Sequence, residues 1–182
     1  AAPSVYFISD SAVTDNDPEV YPNQRGWGQM LRLFWDDEIN YVNAARSGRS
    51  SKSFYTEGLW EATVHSKLQP GDYVFIQWNG NDEKNNGAEG VPGTPTEVGT
   101  APWGDFKSYN ELYINEIRAK GAIPILFTPI VRCYFDSEGH ITGKGRHNFW
   151  DPENGADDGS LDYPLVTRTI AANMGVTLID MT

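Results

Sequence analysis

Ser11 stands where a reactive side chain and a rigid support meet. It follows the apolar run Val5-Tyr6-Phe7-Ile8, which stops abruptly in Ser9-Asp10-Ser11-Ala12. A buried strand that ends in a small, hydroxyl-bearing turn places its last side chains at the carboxyl edge of a sheet, where open α/β folds keep their chemistry. A serine there can act as a nucleophile, or it can simply form the turn or cap a helix. Two further stretches offer groups that would suit such a nucleophile. Arg46-Ser47-Gly48-Arg49-Ser50-Ser51-Lys52-Ser53 is a small-residue loop with three cations. It reads either as a solvated turn or as a loop whose glycine lets a backbone N–H approach a ligand closely. Asn79-Gly80-Asn81-Asp82 leaves another apolar run and reads either as an Asx turn or as a polar cluster on the same edge.

General bases are scarce. The chain has three histidines. His65 falls in a helical stretch and reads as surface or core filler. His140 and His147 lie in a polar excursion over residues 136–159, and His147 is a candidate base by position alone, with no third group to orient it. Cys133 is the only cysteine, which excludes an intrachain disulfide and a cysteine-based metal cluster, and it is expected to pack as a small buried residue. No metal and no organic cofactor is implied.

The elements that must hold these groups follow from periodicity. Trp27, Met30, Leu31, Phe34 and Trp35 fall on one face of a helix entered through Gly26, and are expected in the core. Residues 40–45 read as a second strand and residues 72–78 as a third, continuous in β-formers as a strand covered on both faces should be. Leu59, Trp60, Val64 and Leu68 give a helix over residues 57–68, stopped by Pro70-Gly71. Residues 83–104, rich in Gly, Pro, Asn and Thr, read as a long loop. Phe106, Tyr109, Tyr113 and Ile117 space a further helix, residues 122–128 form the fourth strand, Tyr163, Val166, Ile170 and Met174 space the last helix, and residues 176–180 form the fifth strand. Strands alternating with helices predict a three-layer α/β/α domain over residues 1–182 with a five-stranded parallel sheet, in the flavodoxin-like order 2-1-3-4-5.

Charge narrows the partners. The 14 Lys and Arg against 25 Asp and Glu leave a formal charge of −11, and no stretch concentrates the basic residues, so nucleic acid and anionic membrane surfaces are excluded as partners. No apolar run is long enough for a membrane span. The opening Ala1-Ala2-Pro3 suits a mature end left by signal cleavage as well as an arbitrary boundary. Aromatic residues make up 13% of the chain, a level common to carbohydrate-handling proteins and to aromatic cores alike.

Taken in order, Ser9-Asp10-Ser11, Gly48 and Asn79 to Asp82 resemble the SGNH, or GDSL-type, hydrolases. The blocks YPNQRGWGQML, NAARSGRSSKSF, IQWNGNDEK, GAIPILFTPIVR and LIDMT resemble the rhamnogalacturonan acetylesterase branch across the whole chain. The resemblance implies a secreted serine esterase that removes O-acetyl groups from a plant cell-wall polysaccharide such as pectic rhamnogalacturonan. Ser11 is then the nucleophile, and the oxyanion is held by the backbone N–H groups of Ser11 and Gly48 and the side-chain amide of Asn81. Asp10 is expected to fix the turn. Arg49 is a candidate for meeting a substrate carboxylate, or it pairs with a nearby acid of this acidic protein. The family writes Gly-Asp-Ser and Gly-x-Asn-Asp where this chain has Ser9-Asp10-Ser11 and Asn79-Gly80-Asn81-Asp82. Ser9 suits its turn if its φ is negative, and Asn79 tolerates a left-handed conformation. Family members also carry an Asp-x-x-His pair after the fifth strand. This sequence holds none, Asp136 and His140 being spaced one residue too far apart. The expectation is a nicked or shortened protein whose base lies on a C-terminal segment or a second chain. The alternative is a catalytically silent carbohydrate-binding domain.

Overall fold

Short runs of β-branched and aromatic residues become the strands. They are β1 (Ser4–Ile8), β2 (Asn40–Asn43), β3 (Tyr73–Ile76), β4 (Ile123–Phe127) and β5 (Thr177–Ile179). The computed structural model describes residues 2–84, 98–149 and 159–182. All four strand pairings are parallel, in the order β2-β1-β3-β4-β5 expected from the sequence. The helices between them are α1 (Trp27–Leu31), α2 (Ser51–Thr56), α3 (Leu59–Thr63), α4 (Lys107–Ala119) and α5 (Tyr163–Met174).

Side chains alternate across a strand, so each strand feeds two cores. Tyr6, Ile8, Val74, Ile76 and Leu126 face α2 to α5, where they meet Phe54, Trp60, Tyr113, Ile114, Ile117, Tyr163, Val166 and Ile170. Val5, Phe7, Phe75 and Phe127 face the other way and pack against Trp27, Leu31 and Trp35. Phe7 centres this second core, its ring 4.8 Å from Trp27, 5.6 Å from Phe75 and 5.5 Å from Phe127. Burying each such side chain stabilises the fold by about 1.5–3 kcal/mol. The consequence for the site is stiffness, because both faces of β1 and β3 are packed right up to the residues that leave them.

Three expectations are corrected. The helix beginning at Trp27 runs only to Leu31 and tightens into a 3₁₀ turn over Arg32–Phe34. At three residues per turn the apolar stripe rotates away from the sheet. Phe34 is therefore 84% exposed, and Met30, still within α1, is exposed as well, while Trp27, Leu31 and Trp35 stay packed. The helix over residues 57–68 is instead two short pieces, because Gly58 takes a left-handed conformation between α2 and α3 and Val64 breaks the next turn. Cys133 is exposed, since the backbone on either side of it turns tightly, Tyr134 N donating to Arg132 O at 2.8 Å. Of the two long loops, residues 85–97 and 150–158 lie outside the described residues. The remainder of the second is pinned by isolated bridges, Phe135 to Ile141 and Asn148 to Asp162.

Candidate active site

The turn after β1 buries Ser9 and Asp10 and leaves Ser11 exposed. Its backbone closes on Asp10 O, which accepts from Val13 N and Thr14 N at 3.1 Å. The Asp10 carboxylate does the same with its side chain: Oδ1 accepts from Ala12 N at 3.0 Å and from Asn79 Nδ2 at 3.1 Å, and Oδ2 accepts from Asn79 N at 3.0 Å. Asn79 Oδ1 in turn accepts from Ile130 N at 3.0 Å. An amide donates to a carboxylate and accepts from a backbone N–H with one side chain, so asparagine suits position 79 where an aspartate would repel Asp10. One polar run thus ties together the loops after β1, β3 and β4. Burial pushes the Asp10 carboxyl above its ordinary pKa, opposed by the hydrogen bonds from Ala12 and Asn79 and by the Arg132 charge. With its oxygens spent on the scaffold, Asp10 fixes the turn. Neither Ser9 nor Asn79 has a positive φ, so the departures from the family's glycines cost no left-handed backbone here.

The loop after β2 is drawn to the same place. Arg46 N donates to Ser9 O at 3.0 Å, and Gly48 follows with φ +78°, a conformation that favours glycine. Ser50 then caps α2 reciprocally with Ser53: Ser53 N donates to Ser50 Oγ at 3.1 Å and Ser50 N to Ser53 Oγ at 2.8 Å. Asp82, fully buried, accepts from Ser51 N at 3.0 Å, from Ser51 Oγ at 2.5 Å and from Thr100 Oγ1 at 2.7 Å. Burial pushes its pKa up to about 7, against the pull of those hydrogen bonds. A second clasp joins the same residues, Thr100 N donating to Asp82 O at 2.8 Å. Asn81 Nδ2 donates to Arg49 O at 3.1 Å, which leaves the amide its other N–H.

Ser11 and Asn81 share a cleft of about 350 Å³, lined also by Gln24, Asn79, Gly80 and Arg132. Gly48 is on the adjoining loop and does not line it. Arg49 does not line it either: its Nε lies 2.8 Å from Glu57 Oε2 and its Nη1 donates to Ser47 O. The cation in the cleft is Arg132, which the sequence reading did not single out. Its Nη1 lies 3.1 Å from Glu83 Oε2, and its Nη2 rests where a Cβ on Gly80 would be only 1.2 Å away. Glycine at position 80 is what makes room for the guanidinium. The available signal was positional, a lone cation leaving a strand at the carboxyl edge.

No described histidine lines the cleft. His147 is completely buried in a left-handed conformation, with Nδ1 on Glu83 Oε1 and Nε2 2.6 Å from Ile130 O. Both ring nitrogens are occupied, and the ring braces the loop after β4. It is thereby removed as a base for Ser11. His65 pairs with Glu61 at 2.5 Å and stacks on Trp60, and His140 is 72% exposed beside Asp136. Among the described residues the Ser11 hydroxyl has no hydrogen-bond partner, and no cluster suited to a metal ion occurs.

Sequence comparison agrees with this geometry. No family model matches the chain. It is 32% identical over 177 residues to the probable rhamnogalacturonan acetylesterase YesY of Bacillus subtilis, covering 97% of this chain and 69% of that protein. It is 29% identical over 177 residues to the rhamnogalacturonan acetylesterase RhgT of the same organism, of which it spans 64%. In structure it is similar to the B. subtilis protein YxiM, with a TM-score of 0.69, 27% identity, and coverage of 99% of this chain and 44% of that one. A lipase/acylhydrolase from Enterococcus faecalis shares the fold, at a TM-score of 0.53 and 18% identity over 98% of this chain and 76% of that one. A hydroxyl exposed at the end of β1, a neutral amide across the cleft and a parallel 2-1-3-4-5 sheet are thus found in a chain that belongs to the SGNH, or GDSL-type, hydrolases, in the family of the rhamnogalacturonan acetylesterases.

Proposed function

We propose that this chain carries the nucleophile and oxyanion side of a secreted carbohydrate esterase that removes O-acetyl groups from a plant cell-wall polysaccharide such as pectic rhamnogalacturonan. The observation that carries this is the shared cleft of Ser11 and Asn81, with Ser11 exposed on a turn locked by buried Asp10. In the reaction Ser11 Oγ bonds to the acetyl carbonyl carbon as its proton passes to a base. The oxyanion is met by the N–H of Ser11 and the free N–H of Asn81, with the Gly48 N–H offered from the adjoining loop, which does not itself line the cleft. Collapse breaks the ester C–O bond, the sugar oxygen takes the proton and leaves, and water attacks the acyl-serine by the same route. No cofactor is needed for these steps. The base is an Asp-x-x-His pair on a further segment or a second chain, because His65, His140 and His147 are each held away from the cleft.

The same commitment of the histidines favours a second reading, a catalytically silent domain that binds glycan. Acetate release from acetylated rhamnogalacturonan and from a small acetyl ester distinguishes the two. The protein is assayed alone and with the C-terminal portion of a relative such as YesY supplied in trans. Release that disappears in Ser11→Ala supports the esterase. Release indifferent to that change rules the mechanism out.

A further inference from the structure

Arg132 is built into the cleft in a way that a stray surface cation is not. Its guanidinium lies against a buried carboxylate and also lines the cleft. Nη1 is 3.1 Å from Glu83 Oε2, and that carboxylate is only 3% exposed. The other oxygen of Glu83 is taken by the ring of His147, which is held in place by Ile130 O. Glu83 Oε2 pairs with Arg132 by charge without accepting a hydrogen bond, so Glu83 does not saturate the guanidinium. Nη2 packs against Gly80, itself a wall of the Ser11 cleft, and the side chain as a whole is 30% exposed. Position 80 admits no side chain without displacing it. The neighbouring carboxylate, Asp10, is occupied by Ala12 and Asn79 and offers Arg132 no direct ion pair.

A planar guanidinium that spends none of its N–H groups on hydrogen bonds to other described residues keeps them for a ligand, and two of them in parallel fit a carboxylate. On a protein of net charge −11, an anionic substrate is repelled at long range and requires one such receptor at the site. The cleft volume of about 350 Å³ accommodates roughly one sugar residue beside Ser11. We propose that Arg132 is the specificity-determining residue that receives the carboxylate of a uronic acid lying in the Ser11 cleft, with Glu83 and His147 as its positioning residues. This rests on the proposed function and names the group by which the site distinguishes an acidic polysaccharide from a neutral one.

The test is a binding measurement that does not depend on turnover. The protein is titrated calorimetrically with a deacetylated rhamnose–galacturonate oligosaccharide carrying free carboxylates, and with the same oligosaccharide methyl-esterified. The free acid is expected to bind tighter by about tenfold or more, as charge-assisted pairing implies. Arg132→Gln brings the two affinities close together. Should Arg132→Gln melt too early to titrate, Arg132→Lys keeps a cation beside Glu83 but loses the fork, and it must shrink the preference several-fold. Gly80→Ala leaves every charge in place, moves the guanidinium, and must shrink it too. Equal affinity for the two oligosaccharides, binding of neither, or a preference undiminished in these variants overturns the proposal. Acetate release abolished by Ser11→Ala tests the esterase reading separately, so either can fail while the other stands.

Discussion

Arg49 and Arg132 leave strands on the same sheet edge, each paired with a glutamate, and only one of them enters the cleft. Arg49, after β2, meets Glu57 at the surface, with the two side chains 36% and 25% exposed. Arg132, after β4, meets Glu83, 3% exposed and already bonded to buried His147. The difference teaches that the depth of the partner decides the role. A surface pair lets the arginine swing on a long stem for little energy, whereas a buried acid holds it in one position.

The comparison can be broken experimentally, beginning with the β4 side. His147→Ala leaves Glu83 a buried charge with one partner fewer, and is expected to lower unfolding stability in urea by about 3–5 kcal/mol. Asn81→Ala, at the junction of the two loops, removes both the proposed oxyanion donor and the clasp on Arg49 O. In a protein assembled with its base it should slow acetate release by about 10²–10³-fold, or about 2.7–4 kcal/mol of barrier, with Ser11-dependent kinetics as the readout. Asp82 sharpens the β2 side through pH. Its native pKa is pushed up to about 7 from 3.8, so between those values the folded state holds a proton that the unfolded chain releases. Stability therefore falls as pH rises from about 4 to about 7, and Asp82→Asn should flatten that slope in pH-dependent urea melts. Asp180 behaves oppositely: its pair with Arg168 holds it down to about 2, so it stabilises above pH 3.8 and the effect fades toward pH 2. Being 45% exposed, it should yield at most about 1 kcal/mol in Asp180→Asn. Arg49→Ala is the smallest change, about 0–1 kcal/mol, and should leave the preference for carboxylates unaltered.

What could be read from the chain beforehand tracks the range of the interactions. Strands β1 to β5 follow from local apolar runs, their order is expected as the economical flavodoxin-like one because sequence does not determine it, and both appear in the structure. The positions of Ser11 and Asn81 follow too, because each leaves a strand within a few residues. Phe34 was misplaced because an apolar repeat cannot reveal where a helix will tighten to three residues per turn, and Met30 because the repeat implies a longer helix than one ending at Leu31. Arg132 escapes notice in the sequence, and His147 reads there as a candidate base instead of a brace, for another reason. Their meaning lies in Glu83, 64 residues before His147, and no local pattern announces a pairing across that separation.

The clasp between Asp82 and Thr100 has a consequence for how this enzyme family can diversify. Two hydrogen bonds close the chain at that point, one from Thr100 N and one from Thr100 Oγ1. Anything strung between them is a closed excursion whose ends are fixed by the scaffold and not by its own sequence. Doubling the length of such an excursion costs only about 0.6 kcal/mol in closure entropy. Insertions, deletions and wholesale exchange between residues 84 and 98 should therefore leave Asn81 where it stands. The length of chain between Asp82 and Thr100 becomes a quantity that selection or an engineer can change without rebuilding the chemistry.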